Sequence, residues 1–191
     1  MGIKPDRETA YGLLLEYNQS DALIKHALAV EGVMRHFAGL YGEDAEKWGV
    51  IGLLHDLDYE RYPEEHCKKT REIMEARGID EEYIHGVCSH GYGICSDEKP
   101  EARMEKVLYT IDELTGLINA ACLMRPSKSV LDIELKSVKK KYKTPSFAAG
   151  VNREVIEKGA ETLGVPLDEI ITETIAGMRK VAEVIGLKGE L

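Results

Sequence analysis

Gly52-Leu53-Leu54-His55-Asp56-Leu57-Asp58 is the stretch on which the reading of this chain turns. It continues the apolar run Val50-Ile51-Gly52-Leu53-Leu54, which closes a helix predicted over residues 43–56. Two adjacent ionisable groups at the end of such a run are costly to bury unless something pairs with them. Working outward, Ser20 or Asp21 caps a helix that ends near Tyr41-Gly42. In it His26, Val30, Val33 and Phe37 recur at i, i+4, i+7 and i+11, which places His26 on the core-facing stripe. A short amphipathic helix over residues 6–17 precedes it.

Downstream, Pro63 suits the first turn of a helix reaching Arg77-Gly78, and a shorter helix spans residues 80–90. A loop rich in Gly91, Gly93, Ser96 and Asp97 follows, then the longest helix, residues 100–124, halted by Pro126. Residues 130–142 read two ways. Leu131, Leu135, Val138 and Tyr142 fit a helix, whereas Ile133 and Leu135 also fit a short extended piece. Helices over residues 152–163 and 166–185 complete the chain, separated by Gly164 and Pro166. There is no repeat, no low-complexity tract and no series of strands, so the fold class is an all-α bundle.

The 191 residues suit one domain, and 43% hydrophobic residues are enough for a core. Lys and Arg number 25 against 34 Asp and Glu, a net charge of −9. That balance argues against a basic nucleic-acid coat protein and against a polybasic membrane binder. No apolar run approaches a bilayer span, and the first residues lack a secretory h-region, so a cytoplasmic location is expected. Cys67, Cys88, Cys95 and Cys122 form no CxxC pair. Free thiols are the simpler reading, with a Cys88–Cys95 bridge as the other.

Asp112 lies in Leu108-Tyr109-Thr110-Ile111-Asp112-Glu113-Leu114, inside the long helix among apolar neighbours. Three helices therefore each direct a nitrogen or oxygen donor at a common interior, which is how bundles build metal sites. Taken singly, a core histidine is most often just hydrogen-bonded and a helical aspartate most often faces water. The ordered set of His26, His55-Asp56 and Asp112 is harder to dismiss.

That order resembles the HD-domain metal-dependent phosphohydrolase superfamily, named for its His-Asp doublet. Asp-Glu-Leu-Thr-Gly at 112–116 and Arg-Pro-Ser-Lys at 125–128 are similar to the small HD/HDIG-type hydrolases of bacteria and archaea. The resemblance implies a metal-site core over about residues 20–126 and a C-terminal helical extension over 127–191, in one domain. It implies that His26, His55, Asp56 and Asp112 hold a divalent metal, and that His66 and His90 serve a second. Fe, Mn, Ni, Co, Zn or Mg suits imidazole and carboxylate donors, whereas a thiolate zinc site is not expected. With two ions Asp56 is the bridging carboxylate and the key catalytic residue.

The implied activity is hydrolysis of a phosphomonoester or phosphoanhydride in a small, nucleotide-like substrate. Arg125 and Lys128 are the candidates for holding its phosphate. The alternative is a catalytically silent HD scaffold that binds a nucleotide or a partner protein. Asp58 and Tyr59 stand where cyclic-dinucleotide phosphodiesterases of the superfamily carry Gly and Lys, and Gly91-Tyr92-Gly93 is not their Gly-Tyr-Pro element. That substrate class is not expected, nor is a dedicated guanosine tetraphosphate hydrolase.

Several residues receive plainer readings. Asp58 is expected as a solvent-exposed acid, with a proton donor or a partner to a metal-binding side chain as the other reading, and Glu113 as a structural residue on another face. His85, five residues before His90, points elsewhere, and His36 is a surface or structural residue. Lys139-Lys140-Lys141 lacks the interleaved aromatics of an RNA-stacking surface. Ile171, Ile175, Met178, Val181 and Ile185 form a stripe suited to core packing or to a homodimer face.

Overall fold

The computed structural model describes residues 2–189. Among them lie nine α-helices and no strand: α1 (Arg7–Tyr17), α2 (Asp21–Tyr41), α3 (Ala45–Leu54), α4 (Lys68–Ala76), α5 (Glu81–Cys88), α6 (Arg103–Leu123), α7 (Leu135–Tyr142), α8 (Arg153–Leu163) and α9 (Leu167–Lys180). The fold is all-α, as the patterning predicts. No helix is long and apolar enough to cross a membrane.

Local chemistry sets most boundaries. Asp6, Ser20, Asp44, Asp80 and Asn152 each accept a backbone N–H of the first turn of the helix they precede. Gly42 and Gly164 end α2 and α8 in the left-handed conformation. At α6 the Glu105 side chain takes the backbone N–H groups of Glu101 and Ala102.

α2 and α6 are the central helices. α2 packs against α3, α6 and α9, and α6 also packs against α7 and α8. All seven residues from Trp48 to Leu54 are buried, so α3 is an inner helix. Gly52 makes its approach to α2 so close that a Cβ there would sit 2.8 Å from Met34 Cγ and 3.2 Å from the Val30 carbonyl. This contact sets the end of α3, where His55 lies, beside the His26 face of α2.

The structure differs from the sequence reading at five boundaries, one of them the end of the last helix, where α9 stops at Lys180 rather than at residue 185. α3 stops at Leu54, so His55 and Asp56 fall in the turn beyond it. The helix predicted from Pro63 splits into a 3₁₀ turn (Pro63–Glu65) and α4, because Cys67 takes a positive φ of 66° between them. The fifth helix passes into a 3₁₀ turn (Ser89–Gly91) that carries His90. Of residues 130–142 only Leu135–Tyr142 is helical, and the buried Val130 and Ile133 are the irregular part. Ile171, Ile175, Met178 and Ile185 are buried in the core of the chain itself.

Candidate metal centre

His26 projects from α2, Asp112 from α6, and His55-Asp56 from the turn after α3. They meet. His26 Nε2 lies 2.9 Å from Asp112 Oδ1 and 3.2 Å from His55 Nε2. His55 Nε2 is 3.3 Å from both Asp112 Oδ1 and Asp56 Oδ2. The other Asp56 oxygen, Oδ1, faces a second set: His66 Nε2 at 3.3 Å and His90 Nε2 at 3.7 Å, themselves 3.1 Å apart. One carboxylate thus stands between two groups of donors.

The outer ring nitrogens fix how the imidazoles present themselves. His55 Nδ1 donates to the Gly52 carbonyl at 2.8 Å, and His90 Nδ1 to the Val87 carbonyl at 2.6 Å. A carbonyl only accepts, so each Nδ1 carries a hydrogen and each Nε2 can turn a lone pair inward. His66 Nδ1 is held by Asp58 Oδ1 at 2.6 Å, and the other Asp58 oxygen accepts the Thr70 N–H at 2.8 Å. Asp58 is fully buried, which corrects the exposed acid expected from sequence. The chain folds back after the 3₁₀ turn, so the start of α4 covers Asp58 and supplies the Thr70 N–H.

Facing lone pairs repel unless a cation or proton lies between them, and the electrostatics state the same demand. Burial pulls His55 down, but Asp56 and Asp112 outweigh it and hold the imidazole well above its ordinary range. Burial likewise opposes His66, yet Asp56 and Asp58 raise it to about 10. Burial pushes Asp56 and Asp112 up, and the neighbouring imidazoles prevail and hold both carboxyls low. His90 alone goes down, to about 4, through burial and the charge of His55 and His66. Donors bound roughly 2.0–2.2 Å from one ion lie roughly 3–3.6 Å apart, close to the spacings within each set. The residues fit two divalent ions, with His26, His55 and Asp112 around one and His66 and His90 around the other.

Cys67, which the sequence reads only as a free thiol, also lies beside the second set. Its sulfur lies within 4.8 Å of donor nitrogens of His66 and His90. It is 3.3 Å from Cys95 Sγ, and all four cysteines are free, so the Cys88–Cys95 bridge is absent. Nothing in the spacing of the cysteines signals this; it arises from the turn that Cys67 makes beside His66.

A pocket of about 260 Å³ opens onto Asp56, His66, His90 and Asp112, walled by Tyr59, Ile94, Cys95, Tyr109, Glu113 and Val155. Glu113 therefore faces the same space as Asp112, which corrects the other-face assignment. Its Oε2 accepts the Asn152 N–H at 3.1 Å, tying the start of α8 to the pocket wall.

The remaining candidates lie apart from the cluster. Arg125 pairs with Asp132 at 2.9 Å, Lys128 is exposed in the turn after α6, and neither lines the pocket. His85 bonds Glu105 at 2.8 Å. His36 joins α2 to α9 through Glu173 at 2.6 Å and Lys180 at 2.7 Å. Lys139 pairs with Asp168 at 2.6 Å.

Helices that converge on a histidine–carboxylate cluster, with a His-Asp doublet at its centre, define a class of helical metal-site proteins. The HD domain family model matches residues 23–139, more than half of the chain, and the chain belongs to that family. HD domains bind divalent metals and are generally metal-dependent hydrolases. No solved structure matches the chain.

Proposed function

We propose that this protein is a two-metal phosphohydrolase acting on a phosphomonoester or phosphoanhydride of a small, nucleotide-like molecule. The observation that carries the reading is Asp56, whose two oxygens face separate donor sets at the floor of an open pocket. His26, His55 and Asp112 would hold one ion, His66 and His90 the other, and Asp56 both. Bound divalent ions supply a water of lowered pKa and polarise a phosphoryl oxygen.

The chain's own residues do the rest. Asp58 orients His66 and supplies charge to it, and the Gly52 and Val87 carbonyls orient His55 and His90. Tyr109, Ile94 and Val155 narrow the pocket, which limits how much water surrounds a bound phosphoryl group. Retention of so many buried ionisable groups favours an enzyme over a silent scaffold, because apolar replacements would stabilise a scaffold.

The test is metal analysis of the purified protein together with hydrolysis assays on phosphomonoesters and phosphoanhydrides in Mn, Co, Ni and Mg. Stoichiometric metal with hydrolysis, both lost in Asp56→Ala, is the expected result. Stoichiometric metal with no turnover on any of these esters would establish the scaffold instead.

A further inference from the structure

Next to the metal pocket lies a smaller niche lined by Tyr92, Lys99, Lys106, Tyr109, Lys158 and Thr162. Its three lysines come from the loop before α6, from α6 and from α8. Among the described residues none of them is ion-paired, whereas Lys25, Lys47, Lys69 and Lys139 each hold a carboxylate. Lys136, Lys140 and Lys143 form another such cluster along α7, but only the niche shares a wall residue, Tyr109, with the metal pocket.

The niche adjoins the pocket. Tyr109 lines both, and so do successive turns of two helices. On α6 Lys106, Tyr109 and Asp112 follow at steps of three; on α8 Val155 faces the pocket, and Lys158 and Thr162 face the niche. Six residues of helix separate Lys106 from Asp112, about 9 Å along the axis. The metal pocket is walled by Asp56, Asp112 and Glu113 and by no lysine or arginine. The pocket itself thus offers no cation to negative charge that a substrate carries beyond its scissile phosphoryl group, whereas the niche that shares Tyr109 with it offers three. Lysine meets phosphate as a point charge, and a tyrosine hydroxyl adds a donor. Lys158 Nζ already lies 5.4 Å from the Tyr92 ring centroid, which places it over the niche wall.

We infer that Lys99, Lys106 and Lys158 form an anion subsite that holds a second phosphate-type group of the substrate, across Tyr109 from the group on the metals. This rests on the phosphohydrolase reading of the metal centre. It specifies the substrate as a small molecule with two separated phosphate-type ends, and it makes the three lysines determinants of specificity.

The test is equilibrium binding to the metal-loaded protein of hexane diphosphonate and of hexylphosphonate, whose carbon–phosphorus bonds resist hydrolysis. The diphosphonate is expected to bind at least about tenfold tighter, with the ratio shrinking as salt is raised. In the double variant Lys106→Ala/Lys158→Ala the ratio is expected to fall to about one, with hexylphosphonate affinity unchanged. Equal binding of the two ligands by the native protein would overturn the subsite and leave the metal centre standing, as would a ratio that survives in the variant. Failure of both ligands to bind the metal-loaded protein would overturn the reading of the metal centre and the subsite with it.

Discussion

Asp58 illustrates how a single buried residue bears on the site without lining its pocket. Its carboxylate holds His66 Nδ1 and the Thr70 N–H, so it sets the ring orientation and the charge available to that imidazole. Asp58→Asn keeps an acceptor but removes the charge. It is expected to weaken divalent-metal affinity about 10- to 100-fold, as read by a metal titration, with the helical circular dichroism spectrum retained. Titration at the residue scale has a definite sign in the metal-free protein. His66 is raised from 6.5 to about 10, so its contribution to stability is complete below pH 6.5 and is lost as pH rises towards 10. His90 is depressed from 6.5 to about 4, so the unfolded chain binds its proton first and stability falls as pH drops from 6.5 towards 4. Melting temperatures measured in chelator should peak near pH 6 to 7 (roughly the ordinary imidazole pKa). A steady rise to pH 9 would contradict the assignment of these two histidines.

At the scale of elements, the contact between α6 and α8 determines where the pocket wall stands. Gly159 lies against Thr110, so closely that a Cβ there would come within 2.8 Å of Thr110 Cβ. Gly159→Ala must push α8 away from α6 and is expected to cost about 1–3 kcal/mol. That corresponds to a melting temperature lower by about 2–4 °C per kcal/mol in a chain of this size, measurable by calorimetry. A variant as stable as the native protein would show that the helices do not pack this tightly. The irregular turns between helices matter equally, since His55, Asp56, His66 and His90 all lie on them rather than inside α-helices. Three of these turns end or interrupt helices that periodicity predicts as longer. Apolar spacing marks a helix body well, but the place where it gives way depends on what the next element covers.

For the whole molecule, the parts legible in the sequence are those with a local signature. His26 on an apolar stripe, His55-Asp56 at the end of an inner helix and Asp112 among apolar neighbours each announce a cost that needs a partner. The bundle itself follows from helical periodicity and caps. Asp58, Glu113 and Cys67 carry no such signature because their surroundings are tertiary. Asp58 is buried by a chain reversal, Glu113 faces a wall built partly by α8, and Cys67 turns through a backbone angle that no residue pattern demands. Lys99, Lys106 and Lys158 are as unremarkable singly as any surface lysine and meet only once α6 and α8 are packed. Arg125 and Lys128, in Arg-Pro-Ser-Lys at 125–128, have the stronger local signal, yet they lie beyond the far end of α6.

In the proposed metal centre Asp56 joins two metal sites. Anomalous diffraction from crystals of the protein with its native metal tests it most directly. Two ions are expected, one against His26, His55 and Asp112 and one against His66 and His90, with an Asp56 oxygen on each. A single ion, or two ions with Asp56 bound to only one of them, would contradict it.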